Sequence, residues 1–166
     1  MPLEKLKSLT ELKEIVARLK RQGKKIVFTN GCFDLIHVGH VRCLRKAKSY
    51  GDILIVAINS DKSARRIKGK NRPVIPEKER AEILSSFSSV DYVTIFPENS
   101  SAPTISALLP DVLVKGGDWP VNGVVGREIV EGSGGKVYRI PPAKCLSTTD
   151  LIKKITSQAR RRGHNT

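Results

Sequence analysis

The sequence predicts a doubly wound α/β sandwich on a parallel sheet, and three observations carry that expectation. Apolar runs rich in β-formers alternate with helix-patterned segments along the whole chain. The run Ile53-Leu54-Ile55-Val56-Ala57-Ile58 is almost continuously apolar, as a strand buried on both faces of a parallel sheet reads. An earlier strand, Ile26 to Phe28, reaches it through a helical segment, and such a βαβ unit is right-handed in nearly all proteins.

Each element has its own warrant. Ser8-Leu9-Thr10-Glu11 has capping-box spacing, and Leu9, Leu12, Ile15, Val16 and Leu19 follow as a helical stripe that stops near Gly23. Ile26, Val27 and Phe28 make the first strand, which Asn30-Gly31 breaks. A polar connection then carries Asp34, His37, Gly39 and His40. From Val41 a helix follows, with Val41, Leu44, Ala47 and Lys48 on its inner stripe. Asn59-Ser60-Asp61 ends the second strand and caps a short helix, and a basic loop runs from Lys68 to Pro73. Pro76 suits the first turn of the next helix, whose inward face is Ile83, Leu84 and Phe87. Tyr92 to Phe96 is the third strand, Thr104 to Leu109 a short helix, and Val112 to Val114 the fourth strand. Val125 to Val130 is helical, Gly132 to Gly135 turns, and Lys136 to Ile140 is the fifth strand. Thr148 to Ala159 is the last helix. No repeat or low-complexity linker interrupts the pattern, so residues 1–166 read as one domain, with an N-terminal helix in 1–24 and a basic tail in 156–166.

Composition narrows the function. No apolar run approaches the ~20 residues that span a bilayer, and charges pass through the apolar positions of the N-terminus, unlike a secretory signal. Three cysteines do not suggest a disulfide framework, so a cytoplasmic protein is expected. The net charge of +14 favours anionic partners. Aromatic residues at 5% are thin for stacking single-stranded bases, which favours small phosphorylated ligands over nucleic acid, and no membrane partner is expected. Neither G-x-G-x-x-G nor G-x-x-x-x-G-K-[ST] occurs, so dehydrogenase and P-loop readings lose their main support.

The sharpest feature is His37-Val38-Gly39-His40 between a strand and a helix. First-turn N–H groups lack intrahelical partners and the helix dipole is positive there, so anions are favoured. Gly39 lets a ligand approach the backbone. Imidazoles at such a point donate to phosphate oxygens and to charge that grows in a transition state. Cys32, His37, His40 and Cys43 also have the composition of a zinc site, although Cys43 falls on the helix beside Arg42 and Leu44. In doubly wound sheets ligands sit beyond the carboxyl ends of the strands, where His37, Asn59, Lys115 and Ser147 would all lie.

GCFDLIHVGH resembles the first signature of the HxGH nucleotidyltransferases, which include cytidylyltransferases, pantetheine-phosphate adenylyltransferase and class I aminoacyl-tRNA synthetases. FTNGCFD, LIVAINSD, IKGKNRPV, Arg80, VDYV, PDVLVKGGDW and LSTTDLIKKI occur in order between about Leu9 and Ile155. Together they resemble the adenylyltransferases that make ADP-activated heptose for bacterial lipopolysaccharide. The resemblance implies a Rossmann-like nucleotidyltransferase fold, and transfer of AMP from ATP to D-glycero-β-D-manno-heptose 1-phosphate with release of pyrophosphate. It implies that His37, His40 and Lys68 are catalytic, with Lys68 and Lys70 on a loop that closes over the phosphates. Thr29, Asn30, Gly31, Cys32 and Phe33 would line the nucleotide, and Gly39, Asn59 and Arg80 would support its phosphates. Lys115, Gly116, Gly117 and Asp118 would approach base or ribose, while Asp34 and Lys70 would meet the acceptor. Ser147, Thr148 and Thr149, which with Asp150 have capping-box spacing, would present a second helix start to the β- and γ-phosphates. Magnesium would bridge phosphate oxygens without protein ligands, and relatives are commonly homodimers. Where cytidylyltransferases carry an arginine shortly before this serine, Pro141, Pro142, Ala143 and Lys144 stand, and Lys144 is a point charge and not a fork. That departure favours the adenylyl reading over a glycerol-3-phosphate cytidylyltransferase-like or FAD-synthase-like enzyme. A basic nucleotide- or nucleic-acid-binding module is the alternative from another class.

Overall fold

The computed structural model describes residues 2–117, 120, 123–141 and 147–162. After a short turn of 3-10 helix, Pro2–Lys5, come α1 (Leu9–Arg21), β1 (Ile26–Gly31), α2 (Val38–Lys48), β2 (Ile53–Asn59), α3 (Asp61–Lys68) and α4 (Glu77–Ser85). They are followed by β3 (Tyr92–Phe96), α5 (Ala102–Leu108), β4 (Val112–Gly116), α6 (Arg127–Gly132), β5 (Lys136–Ile140) and α7 (Thr148–Arg162). The five strands form one parallel sheet in the order β3-β2-β1-β4-β5. Chain order reverses between β1 and β4, and that gap is the switch point where such sheets take ligands.

Alternation along β1 divides the core. Val27 faces α2 and α4, packing with Leu44, Ala47, Leu54, Val56, Ala81 and Leu84. Ile26 and Phe28 face α1, α5 and α6, packing with Leu12, Val16, Ile55, Ile105, Leu113 and Val130. Each fully buried aliphatic or aromatic side chain of this kind stabilises the fold by roughly 1.5–3 kcal/mol. At the amino edge of the sheet, carboxylates of Asp52, Asp111 and Asp91 accept from the N–H groups of Lys25, Ile26 and Leu54, each at 2.7 Å. These bonds fix the starts of β1 and β2, so the opposite, carboxyl ends arrive in register. The outer edge of β3 is partly covered, because Lys7 N–H donates to Val93 O at 2.9 Å.

β3 and β5 lie where their apolar runs placed them, and the capping box of Ser8 with Glu11 is formed. Several boundaries differ, for physical reasons. Asn30 and Gly31 stay in β1, because β2 continues alongside and pairs them with Ala57 and Ile58. Lys115 and Gly116 likewise extend β4 against Arg139 and Ile140. α2 starts at Val38, three residues before the expected Val41, so Gly39 and His40 belong to its first turn. The inward face of α4 is Arg80, Ala81, Leu84 and Ser85, with Ile83 and Phe87 only half-buried. α6 cannot begin at Val125, because Gly126 at φ 87° is left-handed; the helix runs from Arg127 through Gly132. α5 stops at Leu108, since Leu109 turns left-handed at φ 43°. Among the described residues no helix is long and apolar enough to cross a membrane.

Candidate functional site

β1 delivers the chain to the switch point, and a tight turn re-aims it into α2. Phe33 adopts φ 47°, a left-handed conformation that costs a non-glycine residue roughly 1–3 kcal/mol. The turn folds its ring back over β1, where a Cβ on Gly31 would lie 3.1 Å from the Phe33 ring. The same ring stands 5.3 Å from that of His40, which in turn stands 4.0 Å from that of His37.

The two histidines cap α2 reciprocally. Gly39 N–H donates to His37 Nδ1 at 3.1 Å, and His37 N–H donates to His40 Nδ1 at 3.4 Å. This is a capping box with imidazoles in place of the usual serine and glutamate. A neutral imidazole that accepts at Nδ1 carries its proton on Nε2, so each ring offers an Nε2–H donor on its far edge. Burial holds both rings below the ordinary histidine range. His40 is pushed down to about 4, mainly by burial and further by His37 beside it. At neutral pH the pair is therefore neutral, and each ring is a hydrogen-bond donor.

A stability signature follows. Unfolded His40 binds a proton below its ordinary value of 6.5, whereas folded His40 resists until about 4. Its contribution is present above pH 6.5 and lost as the pH falls through that window. Denaturant melts from pH 7 to 4 should show the wild type losing up to a few kcal/mol more than His40→Asn. Parallel curves would contradict it.

Lys115 closes the site from β4. Its Nζ donates to the carbonyl and side-chain oxygens of Asn30, both at 3.4 Å, and burial lowers its pKa. Gly116 abuts α2, since a Cβ there would lie 2.8 Å from Cys43 Sγ. Lys68, exposed at the end of α3, is close enough for its charge to disfavour protonation of Lys115, and it partly opposes the burial that pushes the Cys32 thiol up. Lys70 lies exposed beyond Gly69, and Gly117, at φ 109°, donates its N–H to Ile140 O at 3.0 Å. From the other side, Thr148 Oγ1 donates to Leu35 O at 3.1 Å, tying the start of α7 to the histidine turn. Ser147 N–H and Oγ donate to the Asp150 carboxylate at 3.0 and 2.6 Å, and Asp150 N–H returns to Ser147 Oγ at 3.2 Å. The Ser147 hydroxyl bond holds the Asp150 carboxyl below its usual range. Thr149 is exposed on the same first turn. Asp118 and Lys144 lie outside the described residues.

Three expected ligand contacts are instead committed within the chain. Asp34 is 2% exposed; its Oδ1 accepts from the N–H groups of Val74 (2.8 Å) and Ile75 (3.0 Å), and its Oδ2 from Arg72 Nε (2.5 Å). It has no face left for an acceptor. Arg80 is fully buried, donating to the carbonyl oxygens of Ile75 (2.9 Å), Cys32 (2.5 Å) and Asn59 (2.9 Å) and to Asp61 Oδ1 (2.7 Å). It joins the carboxyl ends of β1 and β2, and these four acceptors engage its guanidinium. Asn59 donates to Ser63 Oγ at 2.9 Å and accepts from the Cys32 thiol at 3.6 Å. The zinc candidates do not converge. Cys32 faces Asn59, Cys43 faces Gly116, and among the described residues no group of three or more His, Cys, Asp or Glu could hold a metal. Sequence reasoning did not single out Arg72 or the ion-pairing role of Asp61, whose partners are distant in the chain.

The cytidylyltransferase-like family model matches residues 28–157. The chain is 52% identical over 151 residues to "Bifunctional protein HldE" of Geobacter sulfurreducens and 54% identical over 151 residues to that of Geobacter metallireducens. Each alignment covers 91% of this chain and 31% of the relative, so the chain spans about a third of the length of these curated relatives. Among solved structures, the lipopolysaccharide core biosynthesis protein from Thermoplasma volcanium superposes at TM-score 0.62 with 26% identity, covering 75% of this chain and all of that one. Pantothenate synthetase from Thermus thermophilus (TM-score 0.64, 14% identity, 89% of this chain and 67% of that one) shares the fold.

Proposed function

The chain belongs to the cytidylyltransferase-like family, and on that premise we propose that it transfers AMP from ATP to a sugar 1-phosphate, D-glycero-β-D-manno-heptose 1-phosphate, releasing pyrophosphate. The observation that carries this reading is the reciprocal histidine cap, which supports two neutral Nε2–H donors beside the switch point and a second helix start. An oxygen of the acceptor phosphate attacks the α-phosphorus while the bond to the bridging oxygen breaks, and pyrophosphate leaves. Such a step needs positioning and charge stabilisation more than covalent chemistry. On this reading His37 and His40 donate to the charge that grows on the α-phosphate and the departing oxygen, with Lys68 and Lys115 adding positive potential. Exposed first-turn amides of α7 suit the β- and γ-phosphates. The carboxylates of Asp34 and Asp61 are engaged by Arg72 and Arg80, so the donor set does not fit a resident magnesium. Magnesium would arrive with ATP as part of the substrate and neutralise phosphate charge. The identity to the HldE proteins and the likeness to a lipopolysaccharide core biosynthesis protein support a sugar of the lipopolysaccharide core as the acceptor, which is the heptose that the motifs imply. A cytoplasmic homodimer is part of the same proposal.

The test is pyrophosphate release across a panel of nucleoside triphosphates and acceptors. ATP with heptose 1-phosphate should exceed every other pair by at least about tenfold, a preference of about 1.4 kcal/mol. A preference for CTP with glycerol 3-phosphate, or for ATP with flavin mononucleotide, would replace this substrate assignment.

A further inference from the structure

We propose that Asp34 is a positioning residue, a latch that ties the Lys68–Lys70 loop to the histidine turn. The inference rests on the nucleotidyl-transfer reading for its effect on turnover, though the latch itself is a matter of geometry.

The connection between α3 and α4 has two halves. In the first, Lys68 ends α3, Gly69 leaves the helix at φ 100°, and Lys70 and Asn71 follow; all four are exposed. A turn closes this half, with Arg72 N–H donating to Gly69 O at 3.1 Å. The second half is held down. Arg72 Nε and the N–H groups of Val74 and Ile75 all converge on the Asp34 carboxylate, while Ile75 O accepts from buried Arg80. Arg72 is thus both the post on which the lysine turn closes and the residue that Asp34 grips. The ion pair is poorly solvated, with side-chain exposures of 16% for Arg72 and 1% for Asp34. Removing one partner there strands the other, which makes the pair hard to open.

Asp34 lies three positions before His37 in the same turn. One carboxylate therefore sets the lysine turn relative to the imidazoles, although it faces neither phosphate nor acceptor. A plain structural brace would lower stability without any special relation to Lys68. A latch makes the two residues energetically dependent, because Lys68 is useful only where the latch holds it. Misplacing a charged group by about 1 Å is enough to cost on the order of 100-fold in rate.

The test uses the intact chain and a double-mutant cycle of Arg72→Gln with Lys68→Met, and of Asp34→Asn with Lys68→Met. Arg72→Gln should lower kcat by about 10- to 100-fold with a smaller change in the KM for ATP, and adding Lys68→Met should worsen it by less than about threefold. Hydrogen exchange without substrate should quicken at the amides of Val74 and Ile75 and leave the sheet protected. Losses that multiply in the double variant would overturn the proposal, as would unchanged exchange in Arg72→Gln. Should Asp34→Asn fail to fold, Arg72→Gln alone carries the test. Should the wild type turn over no substrate pair, the functional reading fails, and the exchange measurement still decides the latch.

Discussion

His37→Asn should keep the fold and lower kcat by roughly 10²- to 10³-fold, the range that loss of one preorganised hydrogen-bond donor costs. The substitution separates two jobs that one ring performs. As N-cap of α2, His37 accepts the Gly39 N–H through Nδ1. Asparagine is among the best N-caps and offers Oδ1 in much the same place, so the helix start survives. It has no group where Nε2–H stood. His37→Ala loses both jobs, and the missing cap should cost about 1 kcal/mol besides. In a domain of this size that corresponds to a shift in Tm of about 2–4 °C. Turnover and thermal melts on both variants therefore give a pattern: activity falls in each, stability only in alanine. The catalytic role of the histidine pair is untenable if His37→Asn turns over near the wild-type rate. A rise in KM with kcat unchanged would mean that the donor grips ground and transition states alike.

The order of elements was legible in the sequence, and the ends of elements at the site were not. Tyr92–Phe96 and Lys136–Ile140 were readable because apolar, β-branched and aromatic residues fill them and turn residues bound them. Asn30-Gly31 and Lys115-Gly116 carry turn signals, yet stay in the sheet because neighbouring strands continue past them and satisfy their backbone. Local propensity yields there to a ladder formed by residues far away in the chain. The early start of α2 was hidden for another reason, since histidine is not among the residues that usually mark an N-cap. Thr148 ties the start of α7 to the histidine turn, and Lys115 reaches Asn30 at the end of β1. The intramolecular partners of Asp34 and Arg80 were not legible, because a list of residue types does not say which acceptors a buried fork will reach. Arg80 sits in Pro-Glu-Lys-Glu-Arg, a segment that reads as a solvated first turn, while its acceptors on Cys32 and Asn59 lie 48 and 21 positions away.

That hidden arginine should be the costliest single change away from the histidines. Arg80→Met should destabilise the protein by about 3–5 kcal/mol, a third or more of the stability of an ordinary domain. Methionine fills much of the volume but cannot donate, so the carbonyl oxygens of Cys32, Asn59 and Ile75 lose their partner in a buried setting. The fourth partner behaves differently, because the Asp61 side chain is 32% exposed and water can take over part of its charge. Adding Asp61→Asn to Arg80→Met should therefore recover less than about 1 kcal/mol, in contrast to a fully buried ion pair, where removing the second charge restores most of the loss. Arg80→Lys should fall between, since one ammonium cannot span three backbone carbonyls and a carboxylate that a planar fork reaches together. Denaturant midpoints at constant m-value would measure all three. Because the same carbonyls lie at the carboxyl ends of β1 and β2, kcat should drop even under conditions where Arg80→Lys remains fully folded. A midpoint for Arg80→Met within about 1 kcal/mol of the wild type would mean that the two strand ends are held in place by something other than this guanidinium.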